Sequence, residues 1–268
     1  MTDLVLTELI RIEQHDHIAE IILNRPEKRN AINWTMMEGL GAAVDEVEKM
    51  RGIRVVILRG EGVCFSAGVD VTSFMQNSEQ FGEGWRENLF PLTQAFQAIV
   101  NKFERCSFPV IALLHKVCFG LGLELALACD IRIAAEGTRL GLPESRLGMI
   151  PDVGGTTRLT RLVGAARAKE LIMTGREFDA AFAERWGIIN HVVAEDDLLA
   201  RGYALADEIA QAAPLAVSYA KKVIDGLSDI DRGLQLEAWA QSVLMRTHDL
   251  EAGMQAALTK QKPDWQGK

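Results

Sequence analysis

Three acidic side chains sit where the sequence is otherwise apolar. Glu124 lies within Gly120-Leu121-Gly122-Leu123-Glu124-Leu125-Ala126-Leu127-Ala128, which is greasy on every side. A helix of that composition has no solvent face and is expected to be buried. A lone carboxylate enclosed there costs several kcal/mol, or its pKa rises by up to roughly 3–5. Glu144 follows Leu142-Pro143 and precedes an apolar run broken by Arg146, and Asp152 stands in Ile150-Pro151-Asp152-Val153-Gly154-Gly155. Carboxyls in such glycine- and proline-marked surroundings point to general acid–base chemistry. Each has a structural alternative. Either glutamate can serve as a cap or in a buried ion pair, and Asp152 can cap a helix beginning at Gly154.

Two glycine-rich turns accompany these acids. Gly60 to Asp70 carries a buried strand into a tight turn, Phe65-Ser66-Ala67-Gly68-Val69-Asp70, and Gly120-Leu121-Gly122 opens the apolar helix. Such turns leave backbone N–H groups free to face an anion or a polarised carbonyl, and a helix N-terminus adds a positive dipole end. The turns near Val69 and Leu121, each at a buried strand's end, are expected to cradle one oxygen together. Competing motifs fail. Gly-x-Ser-x-Gly around Ser66 is broken by Cys64. A dinucleotide fingerprint at Gly120 needs a third glycine where Leu125 stands. His15 and His17 flank a hairpin turn at Asp16 rather than forming a metal site, and Asn24 to Asn30, with three cations, is a solvated loop or an anion contact.

The elements that must position these groups follow from pattern. Leu9 to Glu13 and Ile18 to Leu23 read as paired strands, and Asn33 caps a helix running to about Met50 with Met37, Leu40, Val44 and Val47 on one face. Arg54 to Arg59 and Phe108 to Leu114 lack polar alternation and read as buried strands. Gln76 to Gly84 reads as a surface loop, and Trp85 to about Phe103 as an amphipathic helix. Beyond it come a strand at Ile131 to Ala134, a helical turn at Pro143, and helices over 155–162 and 165–173 with basic faces (Arg158, Arg161, Arg167, Lys169). After a helix at 180–186 and a strand at 190–193, only helical patterns remain: to Ala212, then 214–225, 234–245 and 250–258. The boundary is placed at residue 200, giving an α/β core of residues 1–200 and a helical region of 201–268.

Composition excludes several classes. The 268 residues suffice for one large core, and 48% hydrophobic with 25% charged is ordinary for a globular chain. A net charge of −8 disfavours a phosphate grip on nucleic acid. No apolar run reaches the roughly 18 residues of a membrane span. The four cysteines show no Cys-x-x-Cys spacing, so neither zinc nor a disulfide framework is expected. Without a signal-peptide pattern at Met1 to Leu4, the expected location is the cytoplasm.

At Leu23-Asn24-Arg25-Pro26, Phe65 to Asp70, Gly120 to Leu125, Leu142-Pro143-Glu144 and Gly148-Met149-Ile150-Pro151 the sequence resembles the crotonase superfamily of enoyl-CoA hydratases and isomerases. The pieces occur in the family's order from about residue 23 to the Gly253-to-Lys262 tail. The resemblance implies an α/β fold, a crotonase-like spiral of β-β-α units with a helical C-terminal trimerisation region, packing as homotrimers or hexamers. It implies an acyl-CoA thioester substrate, with coenzyme A as part of the substrate and no metal or other cofactor. The Val69 and Leu121 amides match the pair that holds the thioester oxygen. Arg25, Lys28, Ala31, Ala67, Gly68, Asp70, Val71 and Gly120 match the substrate-binding region, and Lys260 can reach a CoA phosphate from the tail. Phe74, Met75 and the loop to Trp85 are expected to line the acyl pocket.

Glu124 and Glu144 match the hydratases' two glutamates, the first activating water and the second exchanging the α-carbon proton. Asp152 departs from the hydratase pattern, where glycine is common, and resembles dienoyl-CoA isomerases, although these usually carry aspartate at the position of Glu124. Hydration of a 2-enoyl-CoA is therefore the leading expectation. Double-bond migration through Glu144 and Asp152 is the alternative, and acyl-CoA binding without chemistry is a second.

Overall fold

The computed structural model describes residues 2–75, 90–226, 239, 241, 243, 244, 246–259 and 261–268. The expected loop at Gln76 to Gly84, Trp85, most of the 234–245 helix and Lys260 lie outside the described residues, as do the side chains of Phe74 and Met75.

The chain opens on β1 (Thr2–Thr7), β2 (Ile10–His15) and β3 (Ile18–Leu23), which pair antiparallel. Helix α1 (Trp34–Val47) follows, with the Asn33 side chain accepting from the Met36 N–H at 2.9 Å, as the capping signal requires. Next come β4 (Val55–Gly60), α2 (Val71–Met75), α3 (Phe90–Arg105), β5 (Val110–Leu114), β6 (Val117–Phe119) and α4 (Leu121–Leu127). Then β7 (Ile131–Ala135) and β8 (Arg139–Gly141) lead through a 3-10 turn (Pro143–Leu147) to α5 (Gly155–Val163) and α6 (Ala165–Thr174). The remainder is β9 (Phe178–Asp179), α7 (Ala180–Arg185), β10 (His191–Val193), α8 (Leu198–Ala210), α9 (Pro214–Asp225) and α10 (His248–Thr259).

Seven strands form one sheet in the order β1-β2-β3-β4-β5-β7-β10, parallel from β3 onward. The parallel strands are covered on both faces, which is why their sequences read as unbroken apolar runs. Val56, Leu58 and Ala112 join the larger core with α1, α3 and α4, whereas Val55, Ile57, Ile111 and Leu113 join Leu198 and Ala206 of α8 on the other side. The close fit leaves no room for a side chain at Gly202, where a Cβ would lie 2.8 Å from Leu113 Cδ1. Helix α9 is pinned by Lys221, whose Nζ donates to Phe103 O, Phe108 O and Asp130 Oδ2.

A second sheet, β6-β8-β9, was not legible in the sequence because its strands are two or three residues long. It carries the site. Ser66 bridges Cys118, with the Ser66 N–H donating to Val117 O and the Phe119 N–H donating to Ser66 O, so the Phe65-to-Asp70 segment runs beside β6. Among the described helices none is long and apolar enough to cross a membrane.

Candidate active site

The turn after Ser66 and the turn after Phe119 meet. A Cβ on Gly68 would lie 2.8 Å from Phe119 O and 3.7 Å from Gly120 Cα, so only glycine permits the approach. Ser66 is no nucleophile. It is fully buried, donates from Oγ to Asn30 O and accepts from the Gly68 N–H, and packs where a Cβ on Gly122 would be 2.7 Å away.

Two amides emerge at this junction. The neighbours of the Val69 N–H are both bonded, Gly68 to Ser66 Oγ at 3.1 Å and Asp70 to Ile32 O at 2.8 Å. The Val69 N–H itself has no partner among the described residues. Leu121 is the first residue of α4, after Gly120 at φ 50°, and its N–H lies ahead of the first intrahelical bond. Val69 and Leu121 line one cavity of about 440 Å³, a size suited to a small-molecule site.

All three candidate acids face the same cavity. The whole of α4 is buried, as its composition requires, and Glu124 is 2% exposed. Its Oε1 accepts from the N–H groups of Val153 and Gly155, each at 2.8 Å. Burial pushes this carboxyl up to about 8; the Gly155 and Val153 bonds pull it down, while the charges of Glu144 and Asp152 push it up. Below that value the folded chain keeps a proton that the unfolded chain releases above about pH 4.5. Glu124 therefore opposes folding increasingly as pH rises from 4.5 toward 8. Glu144, on the 3-10 turn, is raised to about 6 by burial, with Asp152 adding to the rise. Its Oε1 lies 2.8 Å from where a Cβ on Gly120 would stand. Its Oε2 is buried and accepts from no protein donor among the described residues. A buried polar atom of that kind calls for a partner from the cavity.

Asp152 does not cap the following helix. Gly154, at φ 107°, holds the cap position of α5 without a side-chain bond, and Asp152 Oδ2 instead accepts from Thr93 Oγ1 at 2.8 Å. The expected basic face is likewise corrected at Arg158, which is buried and paired with Glu104. Leu92, Thr93 and Phe96 of α3 also wall the cavity, and Phe96 leans on Trp34 with ring centroids 5.2 Å apart. Met149 and Ile150 line it near the surface, 38% and 63% exposed.

Among the described residues, the remaining candidates do not line this cavity. Arg25 Nη1 donates to Asp70 Oδ2 at 2.7 Å and to Ala31 O at 2.8 Å, tying the first loop to the second. Burial pushes the Asp70 carboxyl up, but the Arg25 guanidinium and the Ser73 N–H hold it below the usual carboxylate range. Lys28 and Val71 are exposed, Ala31 and Ala67 half-buried, and Gly68 and Gly120 buried. Asn30 is an internal strut, donating to Glu61 O and Cys64 O. His15 sits beside Glu13 and Glu20 in the hairpin, where Glu20 is occupied by Arg59 and Tyr203. Sequence reasoning missed Thr93, which nothing local marks, and the amides of Val153 and Gly155. The Gly154-Gly155 pair is the signal for those amides: a Cβ on Gly155 would lie 2.9 Å from Glu124 Oε1.

The family profile described as enoyl-CoA hydratase/isomerase matches residues 13–268. The chain is 33% identical to a mitochondrial Delta(3,5)-Delta(2,4)-dienoyl-CoA isomerase of Dictyostelium discoideum, over 95% of this chain and 90% of that protein. It is 38% identical to an enoyl-CoA hydratase domain-containing protein of Bos taurus, over 93% and 84%. The fold superposes on the crystal structure of an enoyl-CoA hydratase from Bacillus anthracis with a TM-score of 0.89 at 35% identity, covering 97% of this chain and all of that one. With its motifs in order and its fold matched over nearly every residue, the chain is an enzyme of the enoyl-CoA hydratase/isomerase family, the crotonase superfamily.

Proposed function

We propose that the protein is an enoyl-CoA hydratase. The observation that carries this is the pairing of two unengaged amides, Val69 and Leu121, with two proton-holding glutamates around one cavity. The amides take the thioester oxygen and stabilise the enolate that forms when the β carbon is attacked. In hydration, ionised Glu124 takes a proton from water, the oxygen bonds to the β carbon, and neutral Glu144 delivers a proton to the α carbon. Burial raises both carboxyls, so near neutral pH the pair shares one proton.

Turnover requires one proton on the pair. With both ionised, no acid serves the α carbon; with both neutral, no base serves water. Activity is expected to rise through about pH 6 and fall through about pH 8, and a flat profile between pH 5 and 9 would contradict the pairing. Incubation with crotonyl-CoA and a longer 2-enoyl-CoA is expected to yield the 3-hydroxyacyl-CoA, and no turnover at any chain length overturns the reading. The CoA portion lies along Arg25, Lys28, Ala31, Ala67, Gly68, Asp70, Val71 and Gly120, with Lys260 at a phosphate. The 201–268 region packs the subunits as trimers or hexamers.

A second reading, dienoyl-CoA isomerisation, is favoured by one observation: Asp152 lines the same cavity with its side chain free of any capping duty. It expects conversion of a 3,5-dienoyl-CoA and loss of that activity in Asp152→Asn. A fully active variant removes Asp152 from the chemistry.

A further inference from the structure

We infer that one stripe of α3, together with Arg158, is a positioning device that fixes Glu124 by holding the 152–155 loop. Thr93, Gln97, Asn101 and Glu104 recur at helical spacing and so share one face of α3. Each bonds the loop or the arginine behind it. Thr93 Oγ1 donates to Asp152 Oδ2 at 2.8 Å, and Gln97 Nε2 donates to Asp152 O at 2.6 Å. Arg158 Nη2 donates to Asn101 Oδ1 at 2.5 Å and to Glu104 Oε2 at 2.6 Å, and its Nε reaches the same Glu104 oxygen at 3.0 Å. The third arm, Nη1, donates to Val153 O at 3.2 Å and occupies the space that a Cβ on Gly154 would need, 1.9 Å away.

The Val153 residue is thereby gripped on two sides. Its N–H holds Glu124 Oε1, and its carbonyl is held by Arg158, which is itself held by two side chains of α3. All three nitrogens of the guanidinium are used, in directions a lysine ammonium cannot reproduce. Among the described residues, Gln97, Asn101, Glu104 and Arg158 do not wall the cavity. An apolar stripe would fill the same volume at less desolvation cost, so the polar chain acts as an alignment device and not as packing.

The inference rests on Glu124 acting as proposed. The charged groups around that carboxyl are Glu144 and Asp152 on the cavity side, with Arg158 and Glu104 behind the loop. Bonds from the Val153 and Gly155 amides favour ionised Glu124, so a loosened loop raises its proton affinity. A misplacement of about 1 Å costs up to about 10²-fold in rate.

The test compares Asn101→Leu, Arg158→Lys and the conservative Asn101→Asp, which keeps an acceptor for Nη2. Asn101→Leu and Arg158→Lys are expected to lower kcat by about 10- to 100-fold with KM for a 2-enoyl-CoA nearly unchanged. Their alkaline limb moves to higher pH, and Asn101→Asp recovers most of the rate. A substrate-free readout accompanies this: the Glu124 carboxyl resonance in protein labelled with 13C-glutamate, identified by its loss in Glu124→Gln. It is expected to titrate at higher pH in Asn101→Leu than in wild type. That shift upholds the device even if the wild type hydrates no enoyl-CoA, in which case only the functional reading falls. Should Arg158→Lys fail to fold, Asn101→Leu decides the matter. Variants that lose thermal stability while the Glu124 titration stays in place overturn the inference.

Discussion

Glu144→Gln is expected to reduce turnover of a 2-enoyl-CoA by about 10²–10⁴ while leaving thioester binding intact. Glutamine keeps the volume and one carbonyl oxygen but can neither hold nor release the proton. The position is prepared for that proton. Burial raises the carboxyl to about 6, and its Oε2 has no protein donor among the described residues. A purely structural glutamate would have its oxygens engaged by the protein, and its replacement would show in stability. Steady-state kinetics beside calorimetric binding of a CoA ester separates the cases. A Glu144→Gln enzyme within about tenfold of wild type would place the acid elsewhere. The variant should also lose the acidic limb of the pH profile, since the group titrating near 6 is gone.

Leu121→Pro removes one amide and exchanges a buried leucine side chain for a smaller ring. Leu121 is the first residue of α4, where a backbone N–H has no intrahelical acceptor and proline is well tolerated. Gly120 precedes it and has no Cβ to meet the ring. The variant is expected to fold and to lose about 10²–10³ in kcat, the usual cost of one oxyanion donor. Leu121→Met, which keeps the N–H and nearly the volume, is the control and should stay close to wild type. Circular dichroism reports whether α4 has survived. A folded proline variant turning over at the wild-type rate would sink the two-amide account, because the thioester oxygen would then be held by something else.

Much of the scaffold was legible in the sequence because it is governed by local periodicity. Unbroken apolar runs at β4 and β5 imply burial on both faces. Asn33 sits where a first turn needs an acceptor, and the segment from Leu121 to Leu127 has no side that water could face. The short strands of the second sheet carry no such signal. Two or three residues cannot display a period, and their identity comes from their partners.

Asp152 shows how far local reading reaches. Two residues ahead of a helix, an aspartate satisfies a capping rule on sequence grounds alone. The rule is overridden because Gly154 supplies the turn and Thr93, 59 residues earlier, supplies a better-placed donor.

The sequence by itself marked the acidic residues in apolar surroundings, the glycine turns with amides to spare and the segments that must be buried, since these are properties of residue type and spacing. Only the tertiary structure decided that Val69 and Leu121 open on one cavity, that Glu124 is held by amides 29 and 31 residues further on, and that Arg158 is turned inward. Such pairings depend on how packed elements are brought together in space, and no periodicity along the chain encodes the distance between two of its distant points.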